Sequence, residues 1–394
     1  MNADSRGDGP LLTRRIWWFL LFSLVGNASL SLLFSVLPLF ASETTGSALA
    51  AGLTTGAMML ATVVVEPGTP RLMSRLGYRR VMMAGVASLG FPSLLLLVYS
   101  NMATILAVSA ARGAGLAITV VAGTALAANL FPVHRRAEGL GVYGVAVSIP
   151  AIVLLPLGLW LAEAFSFELV FTISAVLALG GLAIGRTLPD LHPGPRPTHS
   201  IMSELADPGI ARPTVIFALA TFGAGILLTY LALAVTDENR YLAPLGLLVQ
   251  AICTTVARWV AGRLGDRIGS QRLLAPSMLL AAVGMACIVA TDSATAVVVG
   301  MALFGVGLGG AQNASLAVMF ERAEKDRFAQ VSVIWNLAYD AGLGLGAVGF
   351  GLMIGQTGYS WAFAIVAMIL LASVVPAWLD RGRGANAAQV TQIE

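Results

Sequence analysis

Residues 262–274 read GRLGDRIGSQRLL, and residues 70–82 read PRLMSRLGYRRVM. The two stretches align with an offset of 192 residues, which is close to half of the 394-residue chain. The same offset places the tripeptide Gly-Ala-Gly at 113–115 opposite Gly-Val-Gly at 305–307. An internal repeat of this length indicates that the chain consists of two copies of one structural unit.

The apolar composition places both copies in a membrane. Hydrophobic residues make up 57% of the chain and charged residues only 11%, and the mean hydropathy is +0.84. An ordinary soluble domain is about 45–50% apolar and about 25% charged. So few charges cannot cover the surface of a soluble globule, and part of the surface must therefore face lipid. The same numbers exclude intrinsic disorder, which requires low hydrophobicity and high charge.

Twelve apolar runs are each long enough to cross a bilayer, since a spanning helix needs about 20 mostly apolar residues. Segments such as SETTG, PVHRR, DENR and ERAEKDR separate the runs with charges and helix breakers. The runs cover roughly 15–41, 47–66, 80–100, 102–130, 137–162, 166–187, 213–235, 241–262, 272–291, 295–320, 328–355 and 359–379. The first run is too long for a signal-peptide core, so we expect it to be retained. The predicted fold class is an all-α membrane protein with twelve transmembrane helices.

The basic residues predict the orientation of these helices. Of the 23 Lys and Arg residues, 20 fall in segments on one side of the predicted membrane. Arg240 lies on the other side, and Arg112 and Arg258 lie within spans. Because positive charge marks the cytoplasmic side, we expect both termini in the cytoplasm and the protein in the cell (inner) membrane. This distribution explains the net charge of +3 without a nucleic-acid partner.

The longest polar stretch between spans divides the chain near its midpoint. It reads RTLPDLHPGPRPTHSIMSELADPGIAR over 186–212, and its Pro-rich, mixed-charge composition is typical of a flexible linker. We expect six helices on either side of it, which makes the two copies parallel repeats. The predicted units are an N-terminal bundle over 1–187, a linker over 188–212, a C-terminal bundle over 213–380 and a cytoplasmic tail over 381–394.

The stretch GRLGDRIGSQRLL resembles the loop motif of the major facilitator superfamily, in which a glycine is followed by Asp-Arg, another glycine and basic residues. The matching residues are Gly262, Asp266, Arg267, Gly269 and Arg272 in the second half, and Arg75, Gly77, Arg79 and Arg80 in the first. Pro70 and Ser74 stand where glycine and aspartate are expected. The resemblance implies two six-helix bundles, and it implies that these loops, with the neighbouring Arg258 and Arg263, keep the cytoplasmic side closed. The alternative is that the basic residues only orient the chain.

Four ionisable residues lie within the predicted spans, where a charge is costly and function is the first expectation: Glu66, Arg112, Arg258 and Asp340. Asp340 follows the predicted cytoplasmic Arg327 by about a dozen residues, which places it roughly 20 Å deep, near the midplane. It is the best candidate for a proton site. Arg112 resembles the fourth-helix arginine of proton-coupled members of the superfamily. The alternative for both residues is a structural role between helices.

Glu66 and Arg258 occupy equivalent positions at the offset of 192. We expect both near the cytoplasmic ends of their spans, where a long side chain reaches the interface at little cost. Gating or interface roles are therefore favoured over proton carriage for this pair. Glu66 remains a second candidate for a titrating group.

Polar and aromatic residues within the spans are spaced as expected for a central cavity. Asn27, Ser31 and Ser35 are four residues apart and share one face of the first helix. In the superfamily that the motif resembles, helices one, two, four, five, seven, eight, ten and eleven surround a central cavity. The full candidate set is Asn27, Ser31, Ser35, Tyr143, Thr221, Tyr230, Gln250, Gln312, Asn313, Trp335, Asn336 and Tyr339. The alternative for each is hydrogen bonding between helices.

The resemblance extends to the drug:proton antiporter branch, which implies proton-coupled efflux of small amphipathic organic compounds by a monomer. No enzymatic activity and no cofactor are expected, and the proton gradient supplies the energy. The chain has three His and two Cys residues without ligand spacing, and no GxxxxGK[ST] phosphate-binding loop. A proton-linked importer or a metabolite exporter of the same fold is the first alternative. A non-transporting membrane sensor or a membrane enzyme is the second.

Overall fold

The computed structural model describes residues 12–132, 136–192, 207–323 and 327–380, and within them the regular structure is helical, without strands. Nine described stretches are long and apolar enough to cross a membrane, judged by length and composition. Two of the nine are 50 residues long and each contains two helices, because Gly77 and Gly358 interrupt them with non-helical backbone. The apolar helix Gln271–Cys287 is shorter. Together these segments provide the twelve predicted helices and confirm the fold class.

The helices of the first half are α1 (Arg14–Phe34, continued by Val36–Thr45), α2 (Ala48–Val65, continued by the 3-10 turn Glu66–Gly68 and by 69–76), α3 (78–90, continued by Phe91–Leu97), α4 (Met102–Leu130), α5 (Arg136–Ala164) and α6 (Phe167–Gly185). Those of the second half are α7 (Pro208–Ala234), α8 (Leu242–Ile268), α9 (Gln271–Cys287), α10 (Ala294–Arg322), α11 (328–357) and α12 (359–372, continued by Val374–Leu379). Successive helices alternate in direction, so residues 12 and 380 lie on one side. We call that side the near side and the opposite side the far side.

Among the predicted boundaries that move in the structure are one end each of α7 and α8. Helix α7 begins at Pro208 rather than at 213, because the Asp207 side chain accepts a hydrogen bond from the Gly209 N–H and proline is favoured at the first helical position. Helix α8 runs to Ile268 rather than to 262, so most of the second-half motif forms helix and not loop. Residues 193–206 of the predicted linker over 188–212, the tail over 381–394 and residues 1–11 lie outside the described residues.

The repeat found in the sequence is present in the backbone. Gly77 and Gly269, separated by 192 residues, have φ angles of +78° and +90°, which glycine adopts at little cost. Each ends a helix on the near side. Asn101 and Ser293, also 192 residues apart, cap α4 and α10, which are both 29 residues long. The same signals therefore start and stop the helices in both halves.

The outer surface of the molecule carries large apolar side chains. Leu60 is 65% exposed, Val64 68%, Leu345 67% and Trp361 71%. Exposed apolar residues at membrane depth have lipid rather than water as their neighbour. This surface accounts for the low proportion of charged residues in the sequence.

Helices α2 and α11 join the two halves through small residues, and we call this contact the α2–α11 seam. A Cβ atom added at Gly344 would lie 2.8 Å from the Met59 Cβ, and Gly52 and Gly56 face the backbone and side chains of residues 347–348 just as closely. Glycine permits such an approach between helix backbones. Beside the seam, the Thr55 and Thr229 hydroxyls are 2.9 Å apart and form a hydrogen bond between the halves. These contacts close the molecule on the far side.

Candidate functional site

A cavity of about 840 Å³ lies between the two halves, on the near side of the closed part of the α2–α11 seam. Eight helices contribute to its wall, as the resemblance implied. One residue from each of α1, α2, α4, α5, α7, α8, α10 and α11 illustrates this: Asn27, Met59, Leu116, Ser148, Leu228, Arg258, Gln312 and Asp340. The halves thus enclose a space large enough for a small organic molecule.

The structure brings seven of the predicted cavity residues together in this wall: Asn27, Ser31, Gln312, Asn313, Trp335, Asn336 and Tyr339. Two further candidates, Asp340 and Arg258, also line the cavity. Asn27 donates to the Ser23 carbonyl at 2.9 Å within its own helix, so part of its polarity is already satisfied. The polar groups are spread over several helices rather than gathered in one cluster.

Five predicted cavity residues are not among those that line the cavity: Ser35, Tyr143, Thr221, Tyr230 and Gln250. The Thr221 hydroxyl lies 3.3 Å from the Ala338 carbonyl, and the Tyr230 hydroxyl donates to the Ala347 carbonyl at 2.9 Å. The Tyr143 ring stacks on Phe19 at 5.4 Å.

The remaining two residues of this group are also buried. Ser35 lies at the break between the two segments of α1, and Gln250 packs against Gly305 of α10. These five residues therefore make contacts between helices, which was the alternative role, rather than line the cavity.

Aromatic rings form one part of the cavity wall. Phe217 of α7 stacks on Trp335 at 4.5 Å, and Trp335 lies 6.2 Å from the Tyr339 ring. The Trp335 Nε1–H donates to the Ser315 hydroxyl at 3.0 Å, which fixes the orientation of the indole. This wall offers a flat apolar surface with few hydrogen-bonding groups of its own.

Sequence reasoning missed the share of the wall that α5 and α8 supply. Residues between 144 and 155 of α5, together with Thr255 and Trp259 of α8, line the cavity. Most of the α5 residues are apolar and give no signal beyond that of a lipid-facing helix. Ser148 is the exception, since it lies 192 residues before Asp340 and the repeat itself could have identified it.

Asp340 is buried but reaches the cavity. Its side chain is 7% exposed and lines the wall on α11, next to Tyr339. Within the ranges that the structure covers, Asp340 forms no ion pair. A carboxyl in this position is accessible to water or a ligand in the cavity.

Glu66 and Arg258 differ from the expectation that both lie at the membrane interface. Glu66 is 4% exposed, and the chain continues for eleven residues beyond it to the turn at Gly77, which is about 16 Å along a helix. Both carboxylate oxygens of Glu66 are buried, and neither has a hydrogen-bond partner among the described residues. Arg258, ten residues before the end of α8, is exposed into the cavity. Both helices extend further toward the near side than predicted, so neither residue lies at the end of its helix.

Arg112 is fully buried in α4 and lies outside the cavity wall. Its guanidinium donates to the Ser29 and Leu30 carbonyls of α1 at 3.2 and 3.0 Å, and to the Leu89 carbonyl of α3. No carboxylate pairs with Arg112 in the described part of the chain. The arginine thus connects three helices of the first half through backbone carbonyls.

The first-half motif packs on the segment that follows α6. The Tyr78 N–H donates to the Leu191 carbonyl at 2.9 Å, and the Arg79 Nε–H donates to the Leu188 carbonyl at 2.6 Å. Ser74, Arg75 and Arg80 are exposed on the near side. This half of the motif therefore anchors the chain between α6 and the linker.

The second-half motif lies at the near end of α8. The Arg263 guanidinium lies 3.9 Å from the centroid of the Trp259 ring, and a Cβ added at Gly262 would lie 3.3 Å from the Asn313 amide. Asp266, Arg267 and Arg272 are exposed, and Asp266 and Arg267 form no ion pair among the described residues.

One near-side ion pair was not predicted. Arg322 at the end of α10 pairs with Asp380 at 2.7 Å and also donates to the Gly209 carbonyl of α7 at 3.0 Å. Asp380 is fully buried. The pair holds the near ends of three second-half helices together, and its partners are 58 residues apart in the sequence.

A model of the Major Facilitator Superfamily matches residues 18–248 and 213–393. An uncharacterized MFS-type transporter of Mycobacterium tuberculosis, present in strains CDC 1551 / Oshkosh and ATCC 25618 / H37Rv, is 26% identical over 375 residues. That match covers 93% of this chain and 50% of the relative, so the chain spans about half the length of these relatives.

Solved structures share the fold at low sequence identity. The nucleoside transporter NupG matches with a TM-score of 0.72 at 13% identity, over 93% of this chain and 99% of its own. A bacterial homologue of the human lysosomal transporter Spinster, in an inward-facing and unoccupied conformation, matches with 0.71 at 14%, over 95% and 96%. The peptide transporter POT matches with 0.76 at 13%, over 93% and 94%.

Proposed function

This chain belongs to the Major Facilitator Superfamily of membrane transporters, and we propose that it exports small amphipathic organic compounds in exchange for protons by alternating access. One observation carries the proposal. A cavity of about 840 Å³ between the halves is closed on the far side and has a buried carboxyl, Asp340, in its wall. A space closed at one end between two similar halves is what a carrier needs to expose a ligand to one side at a time.

The character of the wall supports an amphipathic substrate. The aromatic surface of Trp335 and Tyr339 lies on the same helix as the Asn336 amide and the Asp340 carboxyl. Apolar residues of α5 extend this surface. Arg258 and Asp340 are the charged residues of the described wall, and their charges balance. Such a lining stabilises an organic body with a few polar groups better than a highly charged solute.

Proton coupling is assigned to Asp340. An ionised carboxylate without a fixed cation is costly at membrane depth, and a proton removes that cost. A cationic or hydrogen-bonding ligand in the cavity would compete with the proton for the same oxygens. Arg112, the second residue predicted to take part, supports the site indirectly by holding α1 and α3 against α4.

The near side is assigned to the cytoplasm of the inner membrane, since the basic segments lie there. With this orientation the structure has its cavity on the cytoplasmic side of the closed seam. A substrate for export then enters from the cytoplasm. The cavity lies within one chain, which supports function as a monomer.

Transport into proteoliposomes under an imposed pH gradient tests the proposal. A panel of amphipathic fluorescent dyes serves as the probe, with wild type, Asp340→Asn and the control Asp292→Asn. Asp292 is an exposed aspartate before α10, so its variant keeps wild-type transport. We expect wild type to move dye in the direction opposite to the flow of protons. The rate of dye transport should be at least about tenfold lower in Asp340→Asn, and a tenfold ratio corresponds to about 1.4 kcal/mol.

Two results would contradict this proposal. Full gradient-driven transport in Asp340→Asn would remove the coupling assignment. Dye movement in the same direction as protons would replace export by proton-linked import, the alternative function for this fold.

A further inference from the structure

The cavity wall is unevenly exposed, and its exposed part lies on α5 of the first half and α8 of the second, which contact one another. Among the described residues that line the cavity, those of α1, α2, α4, α7, α10 and α11 are buried or half-buried. The exposed ones all belong to α5 and α8: Val145, Ile149, Thr255, Arg258 and Trp259. The cavity is therefore less covered by protein at these two helices than elsewhere.

The exposed wall residues of α5 also belong to its outer surface. Val145 and Ile149 are 59% and 46% exposed, and Val153, which follows at the same interval of four residues, is exposed as well. Residues four apart lie on one face of a helix, so these side chains form one stripe. Val153 is exposed but does not line the cavity, which places the stripe on the lipid-facing side of α5. Its near part, at Val145 and Ile149, faces both lipid and the cavity.

Trp259 of α8 has the same double position. Its side chain is 59% exposed and lines the cavity, while Val256 and Val260 on the adjoining face of the helix are exposed without lining it. Val145, Ile149 and Trp259 thus border a gap between the cavity and the lipid, which we call the α5–α8 slot.

The described residues of the α2–α11 seam are packed differently. The cavity-lining residues Met59, Asp340 and Leu343 are buried there, and a Cβ added at Gly344 would lie 2.8 Å from the Met59 Cβ. In the α5 part of the wall, a Cβ added at Gly144 would meet no heavy atom within 4 Å. The wall is thus closed along the seam and open at the slot.

A cation lies in the cavity next to the slot. Arg258 precedes Trp259, lines the cavity and is exposed, and it forms no hydrogen bond or ion pair with the residues that the structure describes. Further toward the near side, the Arg263 guanidinium lies 3.9 Å from the centroid of the Trp259 ring. A cation without a partner at membrane depth attracts an anionic group, and a guanidinium suits phosphate and carboxylate oxygens.

We propose that a single-chain amphipath with an anionic headgroup enters the cavity from the near-side leaflet through the α5–α8 slot. Its headgroup binds Arg258 inside the cavity, and its acyl chain lies against Val145, Ile149 and Trp259 with its end in the lipid. A volume of about 840 Å³ is that of a site for one small organic molecule, which favours a single chain over the two chains of an ordinary phospholipid. The inference names the substrate class and entry route of the proposed exporter, and it rests on that proposed function for the transport that follows binding.

Photocrosslinking in proteoliposomes without a pH gradient tests binding apart from transport. The probe is lysophosphatidylglycerol with a photoreactive diazirine on the chain next to the headgroup, and mass spectrometry locates the crosslinks. A bulk lipid keeps its headgroup at the membrane surface, so a crosslink to cavity-lining residues between 335 and 340 of α11 reports entry. We expect these crosslinks in wild type.

Ile149→Trp narrows the slot, and Val153→Trp is its matched control on the same exposed stripe outside the cavity wall. Overfilling the gap opposes binding of the chain, so we expect about tenfold fewer α11 crosslinks in Ile149→Trp. Val153→Trp should keep the wild-type yield. Equal yields in Ile149→Trp and wild type would overturn entry through the slot.

Arg258→Gln tests the headgroup contact, and Arg71→Gln, at an exposed arginine outside the cavity wall, is its control. Loss of a charged hydrogen-bond partner weakens binding about tenfold or more, so the crosslinks should fall by that factor in Arg258→Gln and not in Arg71→Gln. Neutral monoacylglycerol with the same diazirine should crosslink as weakly in wild type as lysophosphatidylglycerol does in Arg258→Gln. Equal crosslinking of the neutral and anionic probes would overturn the anionic headgroup.

A short-chain homologue of the probe that dissolves in water identifies the source of the ligand. We expect it to crosslink far less than the membrane-bound probe, and equal crosslinking would overturn entry from the leaflet. Proton-driven dye transport without any lysophosphatidylglycerol crosslink in the cavity contradicts the slot alone. Slot-dependent crosslinks without proton-driven dye transport contradict the proposed function alone.

Discussion

Arg112 shows what a single residue contributes when its partners are backbone atoms. The side chain is fully buried, and its guanidinium donates to carbonyls of α1 and α3. A guanidinium presents several donors in a rigid plane, which suits carbonyls from two directions. The residue therefore stabilises the packing of three helices of the first half.

Replacing Arg112 by glutamine should destabilise the protein. Hydrogen bonds with a charged partner contribute about 1.5–3 kcal/mol each, and the shorter amide cannot reach all three carbonyls. We expect the free energy of unfolding to fall by about 3 kcal/mol, measured by thermal unfolding in detergent. Arg80→Gln, at an exposed arginine of α3, should change stability by no more than about 0.5 kcal/mol. Equal stability of the two variants would contradict the structural role of Arg112.

The sequence was sufficient to place the ionisable residues within spans, but it did not indicate which groups they contact. Depth follows from hydropathy, so Asp340 and Arg112 were recognised as lying within spans. The partners of Arg112 are carbonyls, which no side-chain type marks. Thr221 and Tyr230 have the composition of cavity residues but face neighbouring helices, and a sequence does not distinguish the two environments.

At the level of elements, the α2–α11 seam depends on glycines that permit close approach. Gly344 faces the Met59 Cβ, whereas Gly355, further along α11, has no heavy atom within 4 Å of an added Cβ. A side chain added at Gly344 would therefore clash with a neighbouring residue, whereas one added at Gly355 would not. This difference provides a matched test of far-side closure.

Gly344→Val should hold the far side open, because the added carbons overlap with Met59 when the seam closes. Cys253 and Cys287 are first replaced by serine. Cysteines introduced at Thr45 and Glu238, on the far side of the first and second half, then carry spin labels, and the distance between the labels reports the closure. We expect a longer label distance in Gly344→Val and the wild-type distance in Gly355→Val. The wild-type distance in both variants would show that the seam is not limiting for closure.

The second-half motif shows that the end of a helix could not be predicted from the sequence. The stretch GRLGDRI was expected to be a loop, yet it forms the last turns of α8, because a helix that contains Gly262 and Gly265 can continue until a residue adopts positive φ. Gly269 is that residue. The sequence shows three glycines here, Gly262, Gly265 and Gly269, but it does not indicate which of them ends the helix.

For the whole molecule, the sequence was sufficient for the architecture. The offset of 192 predicted two equal halves, and the backbone repeats it in the turns at Gly77 and Gly269 and in the caps at Asn101 and Ser293. What the sequence did not contain is the arrangement of the halves, which depends on contacts between residues far apart in the chain. The cavity, its closed far side and the carboxyl at its wall all follow from that arrangement.

The central claim is that protons and substrate move in opposite directions through this one cavity. The most direct measurement follows the pH inside proteoliposomes with a trapped indicator while an amphipathic dye is added without an imposed gradient. We expect dye movement in one direction to drive proton movement in the other in wild type, and we expect Asp340→Asn to abolish the proton signal. Dye transport without any proton movement in wild type, or an undiminished proton signal in Asp340→Asn, would contradict it.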